Sequence, residues 1–397
     1  MTPDTPRPPL RLGFIGGGVN SAIGATHRIA CQMDGAFELV AGCFSRDPQT
    51  NRATGRSWGL APERVHAGVP EFLAAEAGRL DAVVVLTPTP THTDIVIACL
   101  EHGLAVVCEK ALAASARDVE AIGAAQAAAG GRLLVTFNYT GYPMVRELRQ
   151  RIADGELGTL SQVMIEMPQE GFLRHTPQGR VASPQPWRRN DGVIPTVSLD
   201  LGVHVHQMVD FLTGAKARHV YALDGTFGEV ADVVDTVNCL AHYDGGLVCN
   251  YWYGKAALGH RNGLRIRIFG SQGSAEWLQM DPELLRMSDV DGGNWIVDRT
   301  HPRNRIANQP RYCRFKAGHP AGFIEAFANH YGDVAAVLHG GSSDYVFGPD
   351  VAHEGLQFLD RVHESARLGE RLAVGGDAAT GRAPPVRASV REAIACN

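Results

Sequence analysis

The sequence predicts an α/β protein in two parts: a doubly wound parallel sheet in the N-terminal part, then an α+β region with a large, open-faced, mostly antiparallel sheet. Three observations support this prediction. Short apolar runs alternate with helical segments as far as residue 139. Beyond residue 140, strand-like runs follow one another with turn residues between them. The length of 397 residues is enough for two or three domains of about 150 residues each.

In the first region, short runs rich in Val and Ile predict buried strands at residues 12–15, 37–44, 81–86, 105–108 and 132–137. These runs show little polar alternation, which is typical of strands that are covered on both faces. Ala-rich helical stretches, such as residues 94–102 and 115–129, lie between them. Strand, helix and strand repeated in this way predict right-handed crossovers, and hence a doubly wound sheet over residues 10–139.

In the second region, an amphipathic helix at 144–153 precedes strand-like runs at 161–167, 219–227, 235–242, 247–253 and 264–269. The Tyr-Asp-Gly-Gly sequence at 243–246 is typical of a hairpin turn. Helices at 321–338 and 351–368 are expected to close this domain, which is predicted to span residues 140–372. Residues 373–397 contain Gly, Ala, Pro and Arg without periodicity, and are predicted to be a disordered tail.

Composition argues against several classes of protein. The chain is 45% apolar and 20% charged, so it can bury a sizeable core. Its formal charge of −5, from 37 Lys and Arg against 42 Asp and Glu, argues against nucleic-acid binding. The sequence shows no membrane-length apolar run and no signal peptide in residues 1–9. Eight cysteines without a C-x-x-C pair predict a reduced cytoplasmic protein, with no disulfide framework and no zinc or other metal site.

A glycine-rich loop follows the first strand and leads into a helix. Glycine is needed where the backbone turns tightly and approaches a pyrophosphate without a Cβ in the way, and a helix N-terminus adds free N–H groups for the phosphates. Ser21 stands at the third glycine of G-x-G-x-x-G, so Gly24 is expected to take that glycine's packing role after a three-residue insertion. An ordinary tight turn is the alternative. The loop residues predicted to bind a dinucleotide are Gly16, Gly18, Val19 and Asn20.

The end of the second strand bears on the choice between NAD and NADP. Phe44 stands where an acidic residue would bind the ribose 2′-hydroxyl, and the following Ser45 and Arg46 suit a 2′-phosphate. The cofactor is therefore predicted to be NAD or NADP, with NADP favoured. Asp47, the nearest acidic residue, can simply begin the next helix, with Pro48 in its first turn.

Two polar motifs follow later strands: Thr87, Pro88 and His92 after the strand at 81–86, and Glu109 and Lys110 after the strand at 105–108. Both motifs lie at the carboxyl ends of parallel strands, the edge where α/β sheets bind ligands. We predict that all five residues contact the cofactor, and that Lys110 also contacts the substrate. The alternatives are a helix-start histidine in a polar loop for His92 and a solvated lysine for Lys110.

A third motif, at residues 198–212, is predicted to be helical. In a helix, Asp200 and His204 are four residues apart and share one face. Gly202 removes a side chain beside them and allows close approach by a ligand. His206 points to a different face, which argues against a His-x-His metal site. The alternative is a carboxylate–imidazole hydrogen bond with no role in catalysis.

Together these motifs resemble the glucose–fructose oxidoreductase/inositol dehydrogenase/rhizopine catabolism (Gfo/Idh/MocA) family. The matching segments are the glycine-rich turn, T-P-x-x-x-H at 87–92, E-K at 109–110, D-x-G-x-H at 200–204, F-N-Y at 137–139 and residues 319–329. The resemblance covers residues 10–370. It implies a Rossmann domain, an open-faced sheet domain that also mediates oligomerisation, and oxidation or reduction of sugars and cyclitols with NAD(H) or NADP(H).

Carried over to this sequence, the resemblance implies that Lys110 hydrogen-bonds the reacting oxygen, that His204 is the general acid/base, and that Asp200 binds and orients the substrate. General chemistry agrees, because a histidine can titrate near neutrality and an ammonium group stabilises a developing alkoxide. The sequence departs from the family at two positions. Ala111 replaces the proline of E-K-P, and Thr140 replaces an arginine common after the Asn-Tyr pair.

Further substrate contacts are predicted for Asn138 at the domain junction and for an insert at residues 168–195, through its Trp187 and Arg188. Arginines in this insert can match a phosphate or a carboxylate, which keeps nucleotide-linked sugars open as substrates. The alternative for the insert is a surface loop stiffened by prolines.

We therefore predict an oxidoreductase that transfers a hydride between NAD(P) and a secondary alcohol or ketone of a sugar, a sugar derivative or a cyclitol. The predicted sheet carries Tyr251, Trp252 and Tyr253, and its apolar face is expected to be covered by a second subunit in a homodimer or homotetramer. Two other functions remain open: a nicotinamide-dependent glycosidase with no net redox change, and a non-catalytic dinucleotide-binding regulator.

Overall fold

The computed structural model describes residues 8–316 and 318–375. Its first sheet is entirely parallel and has the strand order β2-β1-β3-β4-β5. The strands are β1 (Leu10–Gly16), β2 (Phe37–Cys43), β3 (Ala82–Leu86), β4 (Val106–Glu109) and β5 (Leu133–Thr136). All five lie where the apolar runs predict them, and the predicted doubly wound sheet is confirmed.

The helices of this first region are α1 (Ala22–Gln32), α2 (Pro48–Ser57), α3 (Val69–Glu76), α4 (His92–Glu101) and α5 (Ala116–Ala129). Three of them begin at a side-chain cap. Ser21 accepts from the amide of Gly24, Asp47 from that of Thr50, and Ser115 from that of Asp118. Asp47 is thus the N-cap of α2, the role that the sequence offered for it.

The second sheet has nine strands in the order β13-β12-β11-β10-β6-β9-β8-β7-β14. Among the strand pairs described in this second sheet, only β6–β9 is parallel, so the prediction of a mostly antiparallel sheet is confirmed. The strands are β6 (Leu160–Pro168), β7 (Ala217–Gly225), β8 (Thr236–Tyr243), β9 (Val248–Gly254), β10 (Arg265–Gly270), β11 (Gly273–Leu278), β12 (Leu284–Asp289), β13 (Asn294–Asp298) and β14 (Leu372–Ala373).

Four of these strands, β11 to β14, were not predicted from the sequence. In β11 and β12 the buried apolar residues, such as Trp277 and Met287, alternate with charged ones, and the apolar signal is weak. The two-residue β14 pairs with β7, so the predicted tail at 373–397 begins inside a strand. Residues 376–397 of that tail lie outside the described residues.

The remaining helices are α6 (Pro143–Ala153), α7 (Val203–Thr213), α8 (Phe323–Leu338) and α9 (Pro349–Leu368). The prediction that α8 closes the second domain was wrong. Its apolar residues Phe327, Tyr331 and Val334 are buried in one cluster with Phe14 and Phe37, and the helix packs against α1. The chain therefore returns to cover the parallel sheet, because that sheet face would otherwise be exposed.

The large sheet is covered on one face and open on the other. The helices α7 and α9 pack on the first face, where Tyr251 and Tyr253 are buried. The open face carries Trp252 together with Tyr221, Leu223 and Leu240, of which the last three are 41, 58 and 50% exposed. Of the three aromatic residues predicted to need cover, only Trp252 lies on the open face, because side chains alternate along a strand. Leu223 and Leu240 were not predicted there.

The described ranges contain no helix that is long and apolar enough to cross a membrane. Seven of the eight cysteines lie in these ranges, and none of the seven forms a disulfide.

Candidate active site

A cleft opens at the carboxyl ends of β1, β2 and β3. Its first part is a cavity of about 320 Å³ lined by the backbone of the glycine loop and by small or apolar side chains. Arg46 is the one charged residue among those that line it in the described chain, and no acidic residue does. The residues predicted to bind a cofactor that line this cavity are Gly16, Gly18, Asn20, Ser45, Arg46, Thr87 and Pro88.

The glycine loop is held by close backbone contacts. Gly16 and Gly17 have φ values of +86° and +73°, a region that side-chain-bearing residues rarely adopt. A Cβ on Gly24 would lie 1.8 Å from the carbonyl oxygen of Gly17, so α1 can pack against the loop only with glycine at this position. Gly24 thus takes the packing role expected of it. The loop leaves a concave surface of backbone atoms beside the N-terminus of α1.

Val19 and His92, which were also predicted to contact the cofactor, line neither part of the cleft. Val19 is 48% exposed beside the cavity, and its amide donates to Thr54 Oγ1 at 3.1 Å. His92 is 1% exposed, and its ring nitrogens lie 2.9 and 2.7 Å from the carbonyl oxygens of Ala111 and Thr87. Burial lowers the pKa of His92. Because it is enclosed between the loops that follow β3 and β4, His92 joins these loops and does not face a cofactor.

Glu109 connects the cleft to the interior. Its carboxylate lines the second part of the cleft and lies 2.8 Å from Nε2 of His27, whose Nδ1 lies 2.6 Å from the hydroxyl of Tyr331. Every group in this series of hydrogen bonds has a partner when His27 donates from Nε2 to Glu109 and Tyr331 donates to Nδ1 of His27. Helix α8, which carries Tyr331, therefore supports the cleft from behind. The sequence did not predict roles for His27 or Tyr331.

The second part of the cleft is a cavity of about 220 Å³ that shares lining residues with the first. Gln185 and Thr87 border both cavities, so the cleft is continuous. The predicted substrate and catalytic residues that line it are Lys110, Trp187, Arg188 and Asp200.

Asp200 is the centre of an ion cluster. Lys110 Nζ donates to its carbonyl oxygen at 2.6 Å and to Oδ1 at 3.1 Å, and Lys255 Nζ donates to Oδ2 at 2.5 Å. Arg188 donates from both terminal nitrogens, one to each carboxylate oxygen. Burial would raise the pKa of Asp200, but the charges of Lys110, Lys255 and Arg188 outweigh it and hold the pKa well below its usual range.

The segment that carries Asp200 is not a regular α-helix. Residues Ser198–Gly202 form one turn of π-helix, and α7 follows directly. The expected geometry of Asp200 and His204 at i and i+4 of an α-helix was therefore wrong, and no hydrogen bond joins the two side chains within the described chain. A π turn widens the backbone spiral locally, and such turns are frequent at functional sites.

His204 is the second residue of α7 and is 5% exposed. Its ring meets the edge of Tyr139 with centroids 4.6 Å apart, and neither nitrogen has a hydrogen-bond partner among the described residues. Burial, and then the charge of Lys110, lower its pKa well below the ordinary value, and the opposing charge of Asp200 does not compensate. The imidazole is therefore neutral at neutral pH and has a nitrogen available to accept a proton.

Asn138, the residue at the domain junction that was predicted to contact the substrate, is buried. Its Nδ2 has no hydrogen-bond partner in the described chain. Trp187 lies on a short 3₁₀ turn of the insert, with the guanidinium of Arg188 4.5 Å from its ring centroid.

Thr140, at a position that departs from the family pattern, is buried and donates to the carbonyl of Phe137. The other departure lies at the Lys110–Ala111 peptide bond, which is cis.

Lys255 and Gln185 are site residues that sequence reasoning missed. Lys255 comes directly after β9 and is in phase with the inward-facing Tyr251 and Tyr253, so strand alternation contained a usable signal for it. Gln185 lies in the insert and has no sequence signal that distinguishes it from a surface residue.

The described residues contain no group of three or more His, Cys, Asp or Glu side chains arranged to hold a metal ion. His206 is buried against Phe358, with ring centroids 4.5 Å apart, and burial lowers its pKa to about 4. It belongs to the core and not to the cleft.

A parallel sheet with a glycine-rich loop after its first strand, beside a cleft lined by Lys110 and Asp200, is typical of a dinucleotide-binding protein. Two family models match this chain: the NAD-binding Rossmann-fold oxidoreductase model at residues 10–137 and the GFO/IDH/MocA C-terminal domain model at residues 145–276. The chain belongs to the Gfo/Idh/MocA family of oxidoreductases, as its motifs predicted.

Its relatives include proteins named as oxidoreductases and dehydrogenases. An uncharacterized oxidoreductase, YfiI of Bacillus subtilis, is 29% identical over 91% of this chain and 95% of its own length. The D-apiose dehydrogenase of Paraburkholderia graminis is 30% identical over 55% of each chain. The structure of an inositol dehydrogenase homolog from Azotobacter vinelandii, complexed with NADH and myo-inositol, has a TM-score of 0.83, 29% identity, and coverage of 92% of this chain and 97% of that one.

Proposed function

We propose that this protein is an NAD(P)-dependent dehydrogenase that acts on a secondary alcohol of a sugar, a sugar derivative or a cyclitol. The observation that carries this proposal is the Lys110–Asp200 pair in a cleft continuous with the glycine loop, with the buried, neutral His204 close enough for both charges to act on its pKa. The relative named a D-apiose dehydrogenase and the similar structure that holds myo-inositol support this substrate class.

The first cavity fits a dinucleotide. The backbone of Gly16 and Gly18 would approach the pyrophosphate at the N-terminus of α1. Gly16 is also required for packing, since a Cβ there would meet backbone atoms of Leu86 and Thr87 within 2.9 Å. Thr87 and Pro88 would line the path towards the nicotinamide. When bound, the cofactor supplies the hydride acceptor or donor.

Residues of this protein would accept the hydroxyl proton of the substrate and stabilise the negative charge that develops on its oxygen. In the oxidation direction the substrate C–H bond is lost as hydride, its O–H bond is lost as a proton, and a C=O bond forms. His204, which is neutral, would accept the proton, while Lys110 would donate a hydrogen bond to the same oxygen and stabilise its developing negative charge. Asp200 would accept a hydrogen bond from a neighbouring hydroxyl and orient the ring.

For the cofactor, we propose NADP in preference to NAD. Arg46 makes no hydrogen bond or ion pair within the described chain, and it faces a cavity without an acidic lining residue. An unpaired guanidinium suits the 2′-phosphate that NADP carries and NAD lacks.

We also propose that the protein is a homodimer or homotetramer that covers the open sheet face. Tyr221, Leu223, Leu240 and Trp252 form an exposed apolar patch there, and patches of this kind on sheets favour association. Sedimentation velocity at micromolar concentration is expected to show an oligomer. A monomer under these conditions would rule the proposal out.

The proposed function is tested with a panel of free sugars, cyclitols and nucleotide-linked sugars, each assayed with both cofactors by the absorbance of the reduced nicotinamide. We expect at least one free sugar or cyclitol to reduce the cofactor, faster with NADP than with NAD. Binding of either cofactor without reduction by any member of the panel would contradict the proposal and favour a non-catalytic dinucleotide-binding protein.

A further inference from the structure

The second cavity carries more positive than negative charge. The charged side chains that line it are Glu109, Lys110, Arg188 and Asp200, and Lys255 contacts Asp200 beside them. Three cations thus meet two carboxylates. His204 adds no charge, because burial holds its pKa well below neutrality. The oxidised nicotinamide ring is itself cationic, so this end of a bound cofactor would add no negative charge to the cavity.

The excess of positive charge is concentrated around the carboxylate of Asp200. All three cations bind this one carboxylate, and their side chains are 12 to 25% exposed, so water screens them only in part. Glu109 does not share them, because its carboxylate is engaged by His27. A buried charge without a counter-charge is costly, whereas a second anion in the cavity would relieve the imbalance.

Arg188 is the cation placed to accept that second anion. It is the most exposed of the three at 25%, and it belongs to a short turn of the insert, whereas Lys110 and Lys255 follow strands. Its guanidinium binds both oxygens of Asp200 in a planar fork, the geometry that arginine uses for carboxylates. A neutral polyol that displaced Arg188 from Asp200 would leave the guanidinium unpaired.

We infer that the substrate is a monosaccharide or cyclitol that carries one carboxylate, and that Arg188 is the specificity-determining residue that binds it. The inference rests on the proposed dehydrogenase function. On binding, Arg188 exchanges the carboxylate of Asp200 for that of the substrate, and Asp200 becomes free to accept a hydrogen bond from a substrate hydroxyl. Lys110 and Lys255 keep the charge of Asp200 balanced throughout.

Two features favour a carboxylate over a phosphate. A carboxylate has a single negative charge, which matches the single excess cation, whereas a phosphate monoester carries a charge of about −1.5 to −2 at neutral pH. The cavity of about 220 Å³ is also smaller than the roughly 300–1,000 Å³ of pockets for drug-sized ligands, which favours one sugar unit over a nucleotide-linked sugar.

The test uses matched pairs that differ in one group: D-glucose with D-glucuronate and with glucose 6-phosphate, and D-galactose with D-galacturonate. Initial rates are measured with the holoenzyme, and binding is measured by calorimetry with reduced cofactor bound, where no oxidation occurs. We expect the acids to exceed their neutral parents in kcat/KM by about tenfold or more, since a charged hydrogen bond is worth about 1.5–3 kcal/mol.

Variants separate Arg188 from a general effect of charge. Arg188→Gln is expected to lower kcat/KM for the acids by about 10- to 100-fold more than it lowers kcat/KM for their neutral parents, mainly through KM. Arg188→Lys should restore part of the loss. The neighbouring Arg189 is exposed and makes no ion pair in the described chain, so Arg189→Gln is the matched control and should leave both classes unchanged.

The outcomes distinguish this inference from the function on which it rests. Neutral sugars or glucose 6-phosphate preferred over the uronates, or an acid preference that survives Arg188→Gln, would overturn the inference while leaving a dehydrogenase. Uronate binding that depends on Arg188, without oxidation of any sugar, would support the anion site and contradict the dehydrogenase function.

Discussion

The cavity at the glycine loop is lined by backbone and small side chains, with Arg46 as its one charged lining residue in the described chain, whereas the adjoining cavity is lined by four charged side chains from three separate segments. The first surface is formed by one local stretch, Gly16 to Ser21, and by the ends of neighbouring strands. The second depends on Glu109 and Lys110, on Arg188 in the insert, and on Asp200 in the π turn.

This difference indicates how each part of the cleft responds to change. A surface of backbone amides keeps its binding properties unless a side chain physically obstructs it. A cluster of opposite charges depends on every member, since the removal of one leaves another buried without a partner. Cofactor binding and substrate chemistry should therefore be separable by mutation.

The largest expected effect concerns His204. His204→Ala should lower kcat by about 10²- to 10⁴-fold, the usual contribution of a positioned acid or base. The dissociation constant of the cofactor should change by less than about twofold, because His204 is not among the residues lining the glycine-loop cavity. Steady-state kinetics and cofactor fluorescence on one preparation measure both quantities. A parallel loss of both would show that the two parts of the cleft are not separable.

An intermediate effect is expected from Gly18→Val. A Cβ at this position already lies 3.3 Å from the carbonyl oxygen of Phe44 and from Thr54 Oγ1, and the valine methyl groups would obstruct the pyrophosphate. Cofactor affinity should fall by about 10- to 100-fold, which corresponds to one lost hydrogen bond to a charged group. Gly123→Ala is the control, because a Cβ there meets no atom within 4 Å. Unchanged affinity in Gly18→Val would remove the pyrophosphate from this loop.

A smaller effect should follow from Arg46→Ala. The affinity for NADP should fall by about tenfold and that for NAD by less than about twofold, because only the 2′-phosphate offers a charge to pair with. Titration of the same variant with both cofactors measures the difference. Equal losses of affinity for the two cofactors would show that Arg46 is a solvated residue and would contradict the proposed preference for NADP over NAD.

The smallest change is expected in the pH profile. His204 accepts a proton only when neutral, and its pKa is lowered well below the ordinary value of 6.5 by burial and by Lys110. The rate of oxidation should therefore rise with pH through an ionisation below 6.5 and vary little above it. Asp200 stays ionised over the same range, because the cations around it hold its pKa down. A rate that still rises steeply between about pH 7 and 8 would assign the proton transfer to another group.

The two cavities also differ in how much of each could be predicted from the sequence. Gly24, Asp47 and the ends of β1 to β4 could be predicted because local backbone requirements determine them. His92 also follows a strand in a polar motif, but its orientation into the protein depends on the backbone carbonyls of Thr87 and Ala111, which the sequence does not locate.

The charged cavity could be predicted only as a set of candidate residues. Lys110, Arg188 and Asp200 were each identified, but their meeting at one carboxylate depends on how the insert folds over the cleft. The π turn at Ser198–Gly202 has no sequence signal in a helical pattern. The Asp-Gly-Gly turn at 291–293, by contrast, repeats the chemistry of residues 244–246 and could have indicated the β12–β13 hairpin.

Stoichiometry tests whether proton transfer beside the charged cavity accompanies hydride transfer to a cofactor in the glycine-loop cavity. Substrate consumed, ketone formed and reduced cofactor formed are counted in one reaction of the wild-type enzyme with its best substrate from the panel. We expect one reduced cofactor and one ketone for each substrate consumed. Substrate cleaved with no net gain of reduced cofactor would contradict this expectation and identify a nicotinamide-dependent glycosidase instead.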